Sequence, residues 1–205
     1  MRYFHVPDFY AALNPWAIWH GNRNSRTLYI TFDDGPYPEV TPQALQLMKE
    51  NNAKATFFCN GRQAEEYPGL VQAIKDEGHT IGNHGYAHLN GRKTPVADYV
   101  SDVEKAQETL QSTLFRPPYG KITRHQRKRL SRDYRIMLWD VMPYDFDTAL
   151  SKEKAWEKAR KHIKPGSIIV LHDTPKARYK MLYLLEKILV YYKVAGMRFE
   201  EVNQL

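Results

Sequence analysis

The regular alternation of strand-like runs with helix-like segments limits the folds open to this chain more than any other feature. β-branched, aromatic and aliphatic residues are concentrated in short runs that end at turn-forming residues. Seven such runs lie at residues 28–32, 55–58, 80–83, 114–116, 136–139, 168–171 and 198–202. Helices are predicted between them at residues 42–51, 68–77, 95–111, 123–132, 152–163 and 180–195. The alternation indicates an α/β fold of parallel strands with crossover helices outside, either closed into a barrel or open and doubly wound.

Capping residues set the expected helix boundaries. Thr41 and Thr94 precede the first and third predicted helices and are expected to cap them. Gly78 and Gly196 follow the second and the last helix, where glycine commonly ends a helix. Four of the six predicted helices therefore have a local physical reason for one of their ends.

One domain accounts for residues 27–205, because no linker-like tract interrupts them. Residues 1–26 form an apolar and aromatic segment that we expect to pack on this domain, although it also suits the surface of a bilayer. Neither a signal peptide nor a stretch of roughly 20 apolar residues is recognisable. The sequence thus predicts a cytoplasmic protein, with peripheral membrane association as an alternative. The single cysteine, Cys59, agrees with a reducing compartment and is expected to be buried at a strand end.

Positive charge is concentrated between residues 121 and 135. Seven Lys and Arg residues there face one acid, Asp133, in a chain of net charge +7. A solvated helix face explains such a run, and so does peripheral contact with an anionic membrane or glycan. No nucleic-acid-binding motif accompanies the run, so nucleic acid is not an expected partner. The sequence makes no prediction of oligomeric state.

Ionisable residues directly follow five of the seven predicted strands. The carboxyl ends of parallel strands meet on one face of a barrel or a doubly wound sheet, and that face is where ligands bind. We therefore expect a shared site built from Asp33, Asp34, His84, His88, Arg116, Asp140, Asp145, His172 and Asp173.

His84 and His88 are spaced so that both imidazoles reach one metal ion from a loop. Asp34 supplies a third ligand, which leaves coordination positions for water and substrate, as in catalytic sites. Two imidazoles and one carboxylate favour zinc, with cobalt or manganese as alternatives. We expect one divalent metal held by Asp34, His84 and His88.

Acid–base roles fall to the remaining residues of the predicted site. Asp33 and Asp34 repel each other unless a cation binds one of them, and the other is then free to act as general base on water at the metal. Arg116 is expected to keep that base ionised through a bidentate contact. His172 follows an apolar strand, and Asp145 is expected to keep it protonated as a general acid for an amine leaving group.

Five short motifs occur in a fixed order: TFDDGP at 31–36, HGYAH at 84–88, RPPYG at 116–120, DVMPYDF at 140–146 and LHD at 171–173. Together they resemble the polysaccharide deacetylase family, also called the NodB homology domain or carbohydrate esterase family 4. The resemblance extends over residues 28–202. It implies a distorted (β/α)7 barrel and a metal-dependent hydrolase that removes N-acetyl, or alternatively O-acetyl, groups from an acetylated saccharide.

The resemblance also implies residue roles. It gives Asp33 as base, His172 as acid paired with Asp145, Arg116 as tether of Asp33, and Asp34, His84 and His88 as metal ligands. The Tyr119 backbone amide would stabilise the oxyanion together with the metal. Substrate contacts would come from Pro118, Tyr119, Phe146 and Val170.

Three positions depart from the family pattern. Gly85 stands where Ser or Thr is usual, Phe146 where Trp is usual, and Val170 where Leu is usual. The first is expected to loosen the metal loop, and the other two to reshape the pocket for the acetyl methyl group. The metal ligands themselves are unchanged.

Two other functions fit part of the pattern. A metal-dependent hydrolase of another non-peptide C–N bond, such as a cyclic amide, would have the same metal but release no acetate. A non-catalytic metal-containing module that binds glycans or anionic surfaces would need neither Asp33 nor His172. Because both are present, an enzyme is the preferred interpretation.

Overall fold

A parallel sheet forms the centre of the computed structural model, which describes residues 4–205. Its strands are β1 (Thr27–Asp33), β2 (Ala55–Cys59), β3 (Thr80–Asn83), β4 (Leu114–Phe115), β5 (Arg135–Ile136), β6 (Ile168–His172) and β7 (Arg198–Phe199). Within the described range they run in the order β5-β4-β3-β2-β1-β6, and β7 pairs with the start of β1. All of these pairings are parallel.

The sheet curves but closes only in part. After β5 the chain reaches β6 through an isolated parallel bridge between Val141 and Ile169. Helices cover the outside of the sheet, as expected for parallel strands with crossover connections. The fold is therefore an α/β distorted barrel, which confirms the predicted fold class.

Six of the described helices lie where the sequence predicts them, with slightly different ends. The helices are α1 (Asp8–Ala12), α2 (Thr41–Glu50), α3 (Gly61–Glu66), α4 (Pro68–Asp76), α5 (Val96–Leu110), α6 (Arg124–Leu130), α7 (Lys152–Ala159) and α8 (Arg178–Val194). The predictions missed α1 and α3, which have only 5 and 6 residues and so show little periodicity. Single 3-10 turns lie at Gly91–Lys93, Pro118–Gly120 and Val202–Gln204.

Two of the predicted caps are wrong. Thr41 is the first helical residue of α2, and its hydroxyl instead donates to Asp173 at 2.7 Å. Thr94 precedes the N-cap of α5, and its hydroxyl donates to the Asn90 carbonyl at 3.0 Å. Both hydroxyl groups found partners outside the helix, so local propensity was overridden by the surrounding structure.

The buried core explains why β1 is central. All seven of its residues are buried, and it pairs with β2, β6 and β7. Phe32 stacks on Phe57 of β2 with ring centroids 4.6 Å apart. Burial of each such ring stabilises the fold by roughly 1.5–3 kcal/mol. Cys59, at the end of β2, is buried and has a free thiol, as expected.

The amino-terminal segment contacts the domain at several points. Phe4 lies in the main core, and the backbone of Ile18 bonds to Ile136 and Leu138. The side chains of Phe9 and Leu13 are 68% and 77% exposed. Residues 1–3 lie outside the described part of the chain. The division into an amino-terminal segment of residues 1–26 and a domain of residues 27–205 stays a prediction. In residues 4–205, no helix combines the length and the apolar character that crossing a bilayer requires.

Strand register brings the site together. Asp33 at the end of β1 is level with Phe58 of β2 and with His172 of β6. Asn83 at the end of β3 is level with Phe115 of β4. The residues that follow these ends, at positions 34, 84 and 116, therefore emerge on one face of the barrel.

Candidate metal centre

Three potential ligands converge at the carboxyl end of the barrel. His88 Nε2 lies 3.0 Å and His84 Nε2 lies 3.5 Å from Asp34 Oδ1. One ligand atom from each residue falls within 4.8 Å of the others. Asp34 and His88 adopt positive φ angles of 80° and 56°, a costly backbone conformation outside glycine. The surrounding structure thus holds both ligands in place against local preference.

Hydrogen bonding assigns the tautomer of His84. Its Nδ1 lies 2.8 Å from the Arg116 carbonyl oxygen, which only accepts, so Nδ1 carries the proton. The lone pair on Nε2 therefore points at Asp34 Oδ1, a buried oxygen that has no hydrogen-bond partner among the described residues. Acceptors facing one another in a buried site need a cation between them. The donor set of two imidazoles and one carboxylate fits a divalent metal such as zinc.

Asp102 of α5 fixes the loop that carries both histidines. Its two carboxylate oxygens each accept one backbone N–H, from Tyr86 and Ala87, at 2.9 Å. Gly85 has a φ of 75°, and a Cβ there would lie 2.8 Å from Asp102 Oδ2. Glycine thus suits the backbone and the space at this position. Asp102 was not among the predicted site residues, because an acid within an amphipathic helix resembles an ordinary surface charge.

Asp33 forms a buried ion pair with Arg116. Arg116 Nη1 donates to Asp33 Oδ1 at 2.6 Å and to Thr31 Oγ1 at 2.7 Å, and Nη2 donates to the Leu138 carbonyl. The contact with Asp33 is thus single rather than bidentate. Burial lowers the pKa of Arg116, and the adjacent Asp33 opposes that shift. Asp33 Oδ2 is left facing the centre, 3.9 Å from His84 Nε2.

His172 and Asp145 form a second pair, at the end of β6. His172 Nδ1 bonds to Asp145 Oδ1 at 2.9 Å, and the His172 backbone N–H donates to Oδ2 at 2.6 Å. Burial lowers the pKa of His172, but the charge and hydrogen bond of Asp145, together with the charges of Asp34 and Asp33, outweigh burial and raise the pKa to about 9. The Phe146 ring packs edge-on against the imidazole, 4.8 Å between centroids. The arrangement favours a protonated His172.

A cavity of about 550 Å³ opens over these groups. Its floor contains Asp33, Asp34, His84, His88 and His172, and its walls contain Tyr119, Lys121, Trp139, Met142, Phe146, Thr174 and Lys176. Four of these wall residues were not predicted from the sequence, because a wall made by loops from several strands leaves no local pattern; they are Trp139, Met142, Lys176 and Thr174.

Two predicted substrate residues do not line this cavity. Val170 lies two residues before His172 on the same face of β6 and is completely buried, so it sits beneath the cavity. Pro118 is also buried and is absent from the lining, whereas the neighbouring Tyr119 lies at the cavity mouth with its ring 4.6 Å from that of His88.

A smaller lobe of about 290 Å³ adjoins the other side of the metal centre. It shares Asp34, His88 and Thr174 with the main cavity and is otherwise lined by Tyr37, Asn60, Arg62, Gln63 and Ala87. The two spaces therefore form one groove that passes over the ligands.

Asp140 does not reach this site. Its oxygens accept from Ile168 N at 2.7 Å, Arg23 Nη2 at 2.8 Å and Ser167 Oγ at 3.1 Å. Residues 137–141 run parallel to β6, so Asp140 lies beside the first residue of that strand. The prediction that Asp140 joins the shared site is wrong for this reason.

Asp173 supports the site from below. It is buried, and it accepts from Gly35 N at 3.0 Å and from Thr41 Oγ1 at 2.7 Å. Burial raises the pKa of Asp173 to about 8, while the bonds from Thr41 and Gly35 oppose that rise. It therefore holds the loop after Asp34 and does not face the cavity.

Comparison with known proteins shows extensive similarity. The family described as polysaccharide deacetylase matches residues 20–134. A peptidoglycan-N-acetylglucosamine deacetylase of Bacillus cereus is 36% identical over 187 residues, which covers 87% of this chain and 68% of that protein. A chitooligosaccharide deacetylase of Azorhizobium caulinodans is 35% identical over 159 residues, covering 74% and 75%. The solved structure of the Bc1960 peptidoglycan N-acetylglucosamine deacetylase, in complex with 4-naphthalen-1-yl-N-oxidanyl-benzamide, superposes with a TM-score of 0.89 at 32% identity and covers 97% of this chain and 96% of that one.

Proposed function

The chain belongs to the polysaccharide deacetylase family, carbohydrate esterase family 4, and from this premise we propose that it hydrolyses the acetamide of an N-acetylated saccharide. The reaction breaks the amide C–N bond with water and gives acetate and a free sugar amine. Enzymes of this family are metal-dependent hydrolases of C–N bonds other than peptide bonds.

One observation carries the proposal. Three metal-binding atoms share one cavity with a buried carboxylate that has an unused oxygen and with a half-buried imidazole held by Asp145. A proton acceptor and a proton donor beside a Lewis-acid site are what amide hydrolysis requires.

We assign the metal to Asp34, His84 and His88. When bound, a divalent ion polarises the acetyl carbonyl and lowers the pKa of water in the site. Zinc suits two imidazoles and one carboxylate, and cobalt or manganese are the alternatives. His88→Ala should reduce metal content to background in elemental analysis. Full occupancy in that variant would remove His88 from the ligand set.

The protein's own groups then move the protons. Asp33, held at Oδ1 by Arg116, accepts the proton of the attacking water at Oδ2. His172, kept protonated by Asp145, donates to the nitrogen as the C–N bond breaks. The Tyr119 backbone N–H at the mouth of the cavity is assigned to the oxyanion.

The acetyl methyl group is assigned to the apolar wall. Phe146, Trp139 and Met142 line the same cavity as Asp33 and His172. Pro118 and Val170, both buried, are assigned an indirect part, as packing beneath the lining residues. An apolar pocket of this kind distinguishes acetyl from larger acyl groups by steric fit.

The test is release of acetate from N-acetylated oligosaccharides by protein loaded with zinc, cobalt or manganese. Asp33→Asn, loaded in the same way, serves as the matched control. Acetate release that depends on Asp33 supports the proposal. Hydrolysis of a cyclic amide without acetate release would instead support the alternative C–N hydrolase, and release only from O-acetylated sugars would support an esterase.

The basic stretch at residues 121–135 has no assigned partner. Its helix α6 packs on the amino-terminal segment, where the Arg127 guanidinium lies 5.0 Å from the Trp16 ring centroid. Contact of this stretch with an anionic membrane or glycan stays a prediction.

A further inference from the structure

Three cations border the groove that crosses the metal centre. Lys121 and Lys176 line the main cavity, and Arg62 lines the adjoining lobe. We call these three residues the rim cations. Lys121 and Lys176 lie in the segments after β4 and β6, and Arg62 lies in the first turn of α3, after β2, so the three approach the groove from different elements.

The rim cations have no acidic partner. In the described part of the chain no carboxylate lies within 4.0 Å of them, whereas other surface cations such as Arg23, Lys164 and Arg160 are paired. The Arg62 guanidinium lies over the face of the Tyr86 ring, 5.8 Å from its centroid. The acids nearest to Arg62 along α3 are occupied, since Glu65 accepts from Tyr86 Oη and Glu66 from Tyr67 Oη. Unpaired positive charge around a groove attracts an anionic ligand.

The charges on the floor do not offset the rim. Asp33 is paired with Arg116, and Asp145 is paired with His172. Asp34 is the remaining acid of the groove. The two positive charges of a divalent ion bound there would outweigh the single negative charge of Asp34. Among residues 4–205, no other acid lines either the main cavity or the adjoining lobe. The groove as a whole is therefore positive when it holds its metal.

The adjoining lobe also presents an unused acceptor. Gln63 Oε1 is buried and has no hydrogen-bond partner among the described residues. A buried acceptor without a partner costs free energy that a ligand O–H recovers. A sugar hydroxyl provides this donor, so the groove has binding groups on both sides of the metal centre and suits more than one sugar ring.

We propose that the preferred substrate is an acidic N-acetylated oligosaccharide, whose carboxylate or phosphate groups bind the rim cations while the acetamide lies at the metal centre. This inference rests on the proposed deacetylase function and adds the charge of the substrate to it. Each exposed ion pair strengthens binding by roughly 1.4- to 5-fold. Three such ion pairs should make the protein prefer the acidic saccharide over a neutral saccharide of equal length by roughly three- to tenfold or more.

The experiment compares two hexasaccharides with the zinc-loaded protein. One is the neutral hexamer of N-acetylglucosamine, and the other alternates N-acetylglucosamine with glucuronic acid. The readout is the ratio of kcat/KM for the acidic to the neutral compound. We expect this ratio, taken per acetamide group, to exceed about three at low salt and to fall toward one at about 0.5 M salt, where screening is strong. A ratio near one at low salt would overturn the inference.

Variants separate local binding from the overall charge of the protein. Lys121→Ala with Lys176→Ala removes two rim cations, and Lys128→Ala with Arg129→Ala removes two cations from a groove of about 670 Å³ between α5 and α6, which holds none of the metal ligands. The first pair should lower the acidic-to-neutral ratio by at least half. Equal effects of both pairs would mean that long-range attraction, not the rim cations, sets the preference, which contradicts the inference.

Binding measurements keep this inference distinct from the proposed function. Asp33→Asn, loaded with zinc, is titrated with both hexasaccharides by calorimetry, and N-acetylglucosamine 1-phosphate serves as the phosphate arm. Tighter binding of the acidic hexamer supports the inference even if acetate release is never found. Efficient deacetylation without any preference in binding or turnover would refute it and leave the proposed function standing.

Discussion

The two ends of the barrel each hold a buried aspartate against an arginine, but the two carboxylates differ in what they have left to offer. At the amino end of β6, Asp140 uses both oxygens, on Ile168 N, Ser167 Oγ and Arg23. At the carboxyl end, Asp33 uses only Oδ1, on Arg116, and Oδ2 receives no hydrogen bond within the described chain. A carboxylate with both oxygens hydrogen-bonded stabilises the structure. A carboxylate with one oxygen that receives no hydrogen bond and faces the cavity is available to accept a proton. Burial and an arginine partner alone do not distinguish the two.

The largest expected effect comes from removing the negative charge of the buried aspartate at each end of the barrel in turn. Asp33→Asn should keep its metal but lose turnover by about a hundredfold or more, because a positioned base contributes on that scale. Asp140→Asn should keep most of its turnover. The measurement is metal content and kcat for both variants. Near-normal turnover of Asp33→Asn would reassign the base to another residue at the same end.

The proposed general acid, His172, gives the next largest effect. With the pKa of His172 raised to about 9, the imidazole is protonated below that pH, and turnover should decline as pH rises past it. A bound cation offsets the nearby negative charge of Asp34, so the decline should begin at or below about pH 9.

His172→Ala should lower kcat and abolish this alkaline limb. Asp145→Asn should move the limb toward the ordinary histidine pKa of about 6.5, because the main charge that raises the value is lost. An unchanged alkaline limb in His172→Ala would show that another group donates the proton.

The amino end should respond in stability instead. Asp140→Ala removes three accepted hydrogen bonds and leaves Ile168 N–H without its acceptor, so we expect a loss of about 2 kcal/mol or more in the free energy of unfolding. Denaturant unfolding measures this loss, and the metal-loaded protein's kcat under native conditions serves as the control. A fall in kcat without a fall in stability would contradict the contrast between the two ends.

The smallest effect is expected in the amino-terminal segment. Phe9→Ser combined with Leu13→Ser changes two mostly exposed side chains and should alter the free energy of unfolding by less than about 0.5 kcal/mol per site. Metal content should be unchanged. Loss of metal by this folded variant would mean that the segment influences the centre.

The sequence predicted the residues of the centre where a topological rule applied. Asp34, His84 and Arg116 directly follow parallel strands, and strand ends of one direction must meet. Asp140 does not follow this rule, because β5 ends at Ile136 and the chain then runs alongside β6. Asp140 therefore lies beside β6 and not at the carboxyl end of a strand. The expectation of a cytoplasmic location stays a prediction.

Other features depended on packing that no linear pattern records. Val170 lies on the same strand and the same face as His172. It does not reach the cavity, because it lies two residues deeper in β6 and is completely buried. Asp102 acts on the metal loop from a helix 15 and 16 residues further along the chain. Trp139 joins the cavity wall only because several loops meet there.

The central position of β1 has a consequence for how the protein fluctuates. Amide protons exchange with solvent through local openings, and the slowest ones require the whole domain to unfold. β1 is buried along its length and bonded on both sides, so its amides should belong to that slowest class. Asp33 is the last residue of this strand. The base is therefore attached to the segment that opens last, and breathing of the outer helices leaves its position undisturbed.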